Sequence, residues 1–286
     1  MKPPAFDYQE PRTLDEIVEL LARTDQDATV LAGGQSLVPL LNLRLARPDV
    51  VVDINRVPGL DGVEVADDAV VLGAMARLAT LERDPVLADA LPIVPEAIRL
   101  VAHPQIRNRT TLGGSLCHAD PAAELPAVAV ALDARLHLRA RDGGRTEEAA
   151  GFFQSVFTTS RRPEELLTAV EFPRHQGFRF CFEEVSRRHG DFPFVGLCFG
   201  VRLEDGVVTA ARLAGAGIAE RPLRLPAAEA ALVGHRLSGD LAEVLDAASA
   251  EVDPPSDIHG TASFRRGLLR AVIRRAAARL DQGGSR

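Results

Sequence analysis

The apolar run Ala28-Thr29-Val30-Leu31 gives way at once to Ala32-Gly33-Gly34-Gln35-Ser36-Leu37, and a similar segment, Thr111-Leu112-Gly113-Gly114-Ser115-Leu116, follows about eighty residues on. Each couples two glycines to a serine and then returns to apolar residues. A Gly-Gly step accepts φ > 0 and has no Cβ to hold a ligand away, so successive main-chain N–H groups can converge on an anion. The serine hydroxyl adds a donor where a helix begins. Two such turns are able to grip the two halves of a diphosphate.

The surrounding pattern places the first turn. Thr13-Leu14-Asp15-Glu16 reads as a capping box and predicts a helix over 13–23, with Leu14, Ile17, Val18 and Leu21 on one face. Ala28–Leu31 reads as a buried strand, Ser36–Ala46 as a second apolar helix and Val50–Ile54 as another strand, after a short extended stretch at Phe6–Tyr8. Residues 1–56 therefore form a small βαβαβ unit with the glycine turn at a strand-to-helix junction, where anions bind.

Residues 57–175 read as a larger α+β unit. It comprises a hairpin over 63–73, a proline-interrupted helical stretch over 78–101, and a helix over 122–132 with Asp120 as N-cap and Pro121 at its first position. Strands over 134–139 and 166–172 follow. From Gly177 the chain turns strand-rich (178–185, 194–203, 207–214) and closes with helices over 227–233, 241–250 and 261–280. Residues 176–286 thus form a C-terminal antiparallel sheet with a helix cluster, and the fold class is α+β. A chain of 286 residues fits about two domains, with the main boundary between Pro173 and Gly177.

Composition removes several function classes. A net charge of −7 argues against nucleic acid, whose phosphates require clustered cations. Lys2 is the only lysine, which excludes a phosphate-loop lysine or a Schiff base within the fold. No apolar run approaches the roughly 18 residues of a membrane span, and the first residues lack a signal-peptide profile, so the expected location is cytoplasmic. Cys117, Cys181 and Cys198 show no C-x-x-C spacing, so metal or cluster chemistry is expected on a partner.

Asp120 and Glu124 lie one helical turn apart just after the second glycine segment. Carboxylates accept hydrogen bonds from ribose or ribityl hydroxyls while glycine N–H groups take phosphates, so the set fits a nucleotide. Asp120 is equally explained as a plain N-cap. Gly215-Ala216-Gly217-Ile218 begins like a dinucleotide fingerprint but lacks its third glycine and reads as a turn or bulge. His103 and His118 are isolated and structural by default. Arg265, Arg266, Arg270, Arg274, Arg275 and Arg279 form a basic stripe on the last helix, read first as a solvated face and second as a docking surface.

Four ordered motifs then resemble one family along the whole chain. They are Ala32–Leu37; Thr111–Ser115 with Asp120-Pro121-Ala122-Ala123-Glu124-Leu125-Pro126; Ser186-Arg187-Arg188-His189-Gly190-Asp191-Phe192; and Ser256-Asp257-Ile258-His259-Gly260 followed by Phe264-Arg265-Arg266. The sequence resembles the FAD-binding (medium) subunits of molybdenum hydroxylases, as in carbon monoxide dehydrogenase and the flavin domain of xanthine dehydrogenase. The resemblance implies a two-part FAD-binding domain of the PCMH type and a cofactor, FAD, held by Leu31, Ala32, Gly33, Gly34, Gln35, Ser36 and Leu37 and by Thr111, Leu112, Gly113, Gly114 and Ser115. Val101 and Leu167 would line it, Asp120 and Glu124 would serve its hydroxyls, and Asp191 and Phe192 would lie beside the ring.

The same resemblance implies an oxidoreductase with no catalytic side chain of its own and no metal in this chain. Its partners would be a large molybdopterin subunit, a small subunit carrying two-iron two-sulfur clusters, and an external acceptor: quinone, NAD or oxygen. Glu183-Glu184 stand where many relatives place a lysine, and Phe192 where some place tyrosine or isoleucine. Two other readings stay open: a stand-alone FAD-dependent reductase, and a non-redox nucleotide-binding assembly module.

Overall fold

The computed structural model describes residues 2–23 and 25–283. The chain begins with β1 (Asp7–Gln9), α1 (Leu14–Leu21), β2 (Ala28–Leu31), α2 (Leu37–Asn42) and β3 (Val50–Asp53). The three strands form a parallel sheet in the order β1-β3-β2, with Tyr8 and Thr29 both opposite Val51. Thr13 caps α1 by accepting from the Glu16 N–H at 3.2 Å, whereas the Glu16 carboxylate reaches back to the Arg12 N–H at 2.6 Å, one residue short of a reciprocal capping box. Ile17 and Leu21 pack on Val50 and Val52 in this unit's core.

Helix α2 ends earlier than its apolar sequence predicts. Arg44 adopts φ 59°, and the Leu45 and Ala46 N–H groups both return to the Leu40 carbonyl. That turn closes the helix at Asn42 and leaves Leu43 and Leu45 exposed.

The second unit carries β4 (Val63–Val65), β5 (Ala69–Gly73), α3 (Leu78–Leu81), α4 (Pro85–Ala90), α5 (Ile93–Leu100), α6 (Pro104–Arg107), α7 (Leu112–His118) and α8 (Glu124–Ala131). It continues with β6 (Arg135–Ala140), β7 (Gly143–Glu148), α9 (Ala149–Phe152), β8 (Phe153–Ser155), β9 (Thr158–Thr159) and β10 (Leu166–Pro173). Its main sheet is antiparallel throughout, in the order β4-β5-β10-β6-β7. All eight residues of α8 are buried, as befits a helix apolar on every side.

The last unit is an antiparallel sheet of β11 (Phe178–Val185), β12 (Val195–Glu204), β13 (Val207–Ala216) and β14 (Leu223–Arg224), with α10 (Pro226–Leu232), α11 (Ala242–Glu251) and α12 (Ala262–Asp281). One sheet face, with Phe182, Cys198, Ala214 and Ala216, joins the core that contains α8. The other, with Cys181, Phe199 and Leu213, packs on α12. This explains the unbroken apolar run of β12, whose first seven residues are buried. The α8 core thus runs on past Pro173–Gly177 into the C-terminal sheet.

Among the described residues, five of the six arginines in the basic stripe of α12 form ion pairs. Arg265 pairs with Asp257, Arg266 with Asp253, Arg270 with Asp246, Arg275 with Glu183, and Arg279 with Glu96 and Glu183. The solvated-face reading holds for Arg274 and Arg275, which are exposed, whereas Arg265 is buried and Arg279 reaches acids on α5 and β11.

A donor-lined cleft between two glycine segments

Strand β2 delivers Ala32–Ser36 to the mouth of a cleft. Gly34 has φ 74°, a left-handed conformation that glycine adopts without strain. Gly33 lies against the chain entering the second glycine segment. A Cβ on Gly33 would fall 2.3 Å from the Arg109 carbonyl oxygen and 3.0 Å from the Thr110 Cα. The Gly34 and Ser36 carbonyls accept from Val38 and Leu40 inside α2. Among the described residues no acceptor meets the N–H groups of Gly34, Gln35, Ser36 or Leu37, and the Ser36 hydroxyl makes no capping bond. Four donors and a hydroxyl are therefore left for a ligand.

The second glycine segment is built differently. It is not an open turn but the first turn of α7, with Thr111 as N-cap accepting from the Gly114 N–H at 3.1 Å. The remaining N–H groups are taken as well: Leu112 donates to Ala76 O, Gly113 to Ala74 O at 2.7 Å, and Ser115 to Thr111 O. The expected second row of open amides is absent. The glycines serve close packing instead, since a Cβ on Gly113 would meet the Ala74 Cβ at 2.6 Å and one on Gly114 the Thr111 Oγ1 at 2.7 Å. Gly114 offers the cleft a bare Cα, and Ser115 a hydroxyl.

Between these segments lies a cleft of about 530 Å³. Of the residues singled out from sequence, Ala32 through Leu37, Val101, Thr111, Gly113, Gly114, Ser115, Asp120, Glu124, Leu167 and Phe192 line it. Three do not. Leu31 packs its Cδ1 beside Gly34, Leu112 is fully buried in the core, and Asp191 is exposed, its N–H donating to Arg188 O.

The cleft also takes residues with no sequence signal, among them Met75, Ile106, Cys117, Arg161 and Glu165. Arg161 donates to the Glu165 and Arg162 carbonyls at 2.7 and 2.9 Å. Glu165 is 3% exposed, so burial raises its pKa, but bonds from the Arg145 guanidinium and the Arg162 N–H outweigh burial and hold it below the usual carboxylate range. His118, expected to be structural, stacks on Phe157 while also lining the cleft, and burial lowers its pKa.

Asp120 is not the N-cap of α8. Ala119 turns the chain with φ 51°, Asp120 accepts from the Ala122 N–H at 2.9 Å, and the helix begins at Glu124 after Ala123. Glu124 is 3% exposed, and burial pushes its carboxyl up to about 8, with Glu184 and Asp120 adding to the effect.

The loop carrying Phe192 is fixed from two sides. Gly190 has φ 85° and sits on Ala102–His103, so close that a Cβ would lie 2.6 Å from the His103 ring. Arg265, 5% exposed, donates to Phe194 O at 2.6 Å and to Asp257 at 2.8 Å. The Asp257 carboxylate also accepts from the His259 and Gly260 N–H groups. The C-terminal signature is thereby a brace for the Phe192 loop. Gly217 ends β13 as a turn with φ 71°, and its N–H donates to Pro121 O at 2.8 Å, as the missing third glycine predicts.

Open amides, a bare Cα surface, a buried carboxyl and the apolar side chains of Val101, Leu167 and Phe192 in one cleft fit a dinucleotide that has both a diphosphate and a flat ring system. Residues 4–175 match the family described as the FAD binding domain in molybdopterin dehydrogenase, and residues 180–280 match the CO dehydrogenase flavoprotein C-terminal domain. The chain is 42% identical to the 6-hydroxypseudooxynicotine dehydrogenase complex subunit alpha of Paenarthrobacter nicotinovorans, over 98% of this chain and 95% of that one. Its fold is similar to that of a carbon monoxide dehydrogenase chain from Hydrogenophaga pseudoflava, with TM-score 0.93, 36% identity, and 97% and 98% of the two chains covered. It is equally similar to a chain of quinoline 2-oxidoreductase from Pseudomonas putida 86, with TM-score 0.93, 35% identity and 99% of each chain covered.

Fold and cleft define an FAD-binding oxidoreductase domain of the PCMH type with a C-terminal flavoprotein domain. The chain belongs to the FAD-binding flavoprotein subunits of the molybdopterin dehydrogenases, and the α+β architecture expected from sequence is borne out. Among the described residues no helix is long and apolar enough to cross a membrane.

Proposed function

We propose that this chain is the electron-transfer subunit of a molybdenum-containing hydroxylase or dehydrogenase. It would receive electrons from two-iron two-sulfur clusters on a small partner subunit and deliver them to an external acceptor, with a large molybdopterin subunit oxidising the substrate. The observation that carries this reading is the set of open N–H groups from Gly34 to Leu37, facing a cleft that Glu124 and Phe192 complete.

Bound FAD supplies the redox chemistry, accepting electrons singly or in pairs. This chain's residues bind and orient it. The amides of Gly34–Leu37 and the Ser36 hydroxyl hold the diphosphate, and Ala32, Thr111, Gly113, Gly114 and Ser115 form the opposite wall of that grip. Glu124 and Asp120 address hydroxyls, while Val101, Leu167 and Phe192 exclude water from the ring. The brace from Arg265 to Phe194 keeps the Phe192 loop on the cleft. Leu31 and Leu112 act from behind this lining, and Asp191 serves the loop that carries Phe192.

The relatives named above act on a hydroxypseudooxynicotine, carbon monoxide and quinoline, yet share this fold over nearly their whole length. Substrates so different support a division of labour in which substrate is selected on another chain. The three sequence units, 1–56, 57–175 and 176–286, belong to the same reading, with the first two supplying most of the cofactor's walls and the third its Phe192 loop.

The test is purification of the full chain with and without co-expressed partner subunits. The expected result is a flavin absorbance spectrum from the chain alone, and iron and molybdenum in the co-purified complex, whose substrate bleaches the flavin. A yellow chain that is never reduced through an iron-sulfur partner would contradict the electron-transfer role.

A further inference from the structure

Three carboxyls at or near the cleft form no ion pair among the described residues: Asp120, which accepts from the Ala122 N–H, Glu124 at the start of α8 and Glu184 near the end of β11. The sheet register brings the last two toward each other. Glu184 stands opposite Gly196 of β12, and Gly196 stands opposite Ala216 of β13. Directly paired residues share a face, and this row lies on the same face as Phe182, Cys198 and Ala214, which packs on α8. The two residues beside Glu184 in the row are thus glycine and alanine, which put no polar side chain in front of it, and the Phe182 ring lies over Gly196, where a Cβ would meet its Cζ at 3.1 Å. The next residue, Gly217, donates to Pro121 O, so the row ends on the segment leading into Glu124.

The surroundings leave both groups underprovided. The Glu184 Oε2 is buried without a hydrogen-bond partner. Glu124 is 3% exposed, lines the cleft, and accepts from its own main-chain N–H. Burial raises Glu184 to about 7, with Arg275 of α12 opposing and Glu183 adding, while burial, Glu184 and Asp120 raise Glu124. The side chain of Arg275 is committed to Glu183. Elsewhere in the cleft, burial lowers the His118 pKa, Arg161 is held by carbonyls, and Glu165 is paired with Arg145.

We propose that Glu124 and Glu184 form a two-carboxyl proton-binding pair in the wall of the cleft, holding one proton at neutral pH and presenting it through Glu124 to bound FAD. This rests on the cleft being the FAD site. Two like charges in a dry setting do not both ionise, and the proton belongs to the pair rather than to one member. A protonated Glu124 is a hydrogen-bond donor, not the pure acceptor that its sequence position implies. The held proton also offsets negative charge that gathers in the cleft.

Infrared spectroscopy of the full chain, with and without FAD, tests the pair through the carbonyl stretch of a protonated carboxylic acid. Wild type is expected to show this band at pH 7. In Glu184→Gln the band persists but its titration midpoint falls, on the order of one pH unit for loss of a like-charged neighbour. The double variant with Glu124→Gln and Glu184→Gln loses the band, and FAD shifts its frequency in wild type but not in Glu124→Gln. No band at pH 7, a midpoint unmoved by Glu184→Gln, or a band indifferent to FAD when absorbance shows FAD bound would each overturn the proposal. If FAD does not bind at all, the cleft assignment falls, whereas the band and its dependence on Glu184 still decide the pair. Both substitutions keep the side-chain shape, and a thermal melt at pH 6 confirms folding.

Discussion

Gly33 and Arg109 meet so closely that a Cβ at position 33 would stand 2.3 Å from the Arg109 carbonyl oxygen. This contact locks the first glycine segment onto the chain entering the second. Gly33→Ala is therefore expected to push the two apart and cost roughly 1–3 kcal/mol, the usual range for overpacking. The check is a fall in melting temperature together with a reduced ratio of flavin to protein absorbance. An unchanged melt and full FAD content would contradict the close contact.

Ser36 differs because its hydroxyl makes no capping bond and has no hydrogen-bond partner among the described residues. Ser36→Ala is expected to leave stability within about 0.5 kcal/mol and to weaken FAD binding about tenfold, the effect of one hydrogen bond of roughly 1–1.5 kcal/mol. Thr111→Val reverses this split. It removes the cap that receives the Gly114 N–H, costing about 1 kcal/mol of stability. Isothermal titration and thermal melts on both variants separate the two effects.

Much of this arrangement was readable from residues in order, and the failures share a cause. The βαβαβ unit, the hairpin at Ala66–Asp68 and the long strands of the C-terminal sheet follow from local periodicity and turn chemistry. Gly113-Gly114 reads equally as a turn or as a helix start, and what decides is contact with Ala74 and Ala76, nearly forty residues away. The same holds for the α12 arginines, whose acids lie on α5, β11, α11 and the loop before α12. Arg161 and Glu165 enter the cleft on the segment leading into β10, whose Leu166 and Leu167 also line it.

Arg265 ties the C-terminal signature to the Phe192 loop through two bonds from a buried guanidinium. Arg265→Met should cost about 1–3 kcal/mol and loosen the loop, since the Phe194 carbonyl loses its donor while Asp257 keeps the His259 and Gly260 N–H groups. Arg265→Lys is expected to restore little, because one ammonium does not reproduce a two-pronged contact. Thermal melts and the visible circular dichroism of bound flavin report the two consequences separately.

Two carboxyls give the stability profile opposite slopes at opposite ends. Glu124 keeps its proton to about 8 in the fold but loses it in the ordinary carboxylate range when unfolded, so stability declines as pH rises across that window. Glu165 has a lowered pKa, so its contribution is complete above the ordinary carboxylate range and is lost as pH falls through the folded value. Melting temperature against pH should therefore flatten between the ordinary carboxylate range and about pH 8 in Glu124→Gln, and below that range in Glu165→Gln. A Glu124→Gln profile parallel to wild type would contradict the buried acid.

The central claim is that one row of amides, not two, receives the FAD diphosphate. A crystal structure of the chain with FAD tests it most directly. The predicted result places diphosphate oxygens at about 2.7–3.1 Å from the N–H groups of Gly34 to Leu37, with Leu112 to Ser115 still bonded to Ala74, Ala76 and Thr111. A diphosphate bound away from Gly34–Leu37, or one that pulls the Gly113 N–H off Ala74, would contradict it.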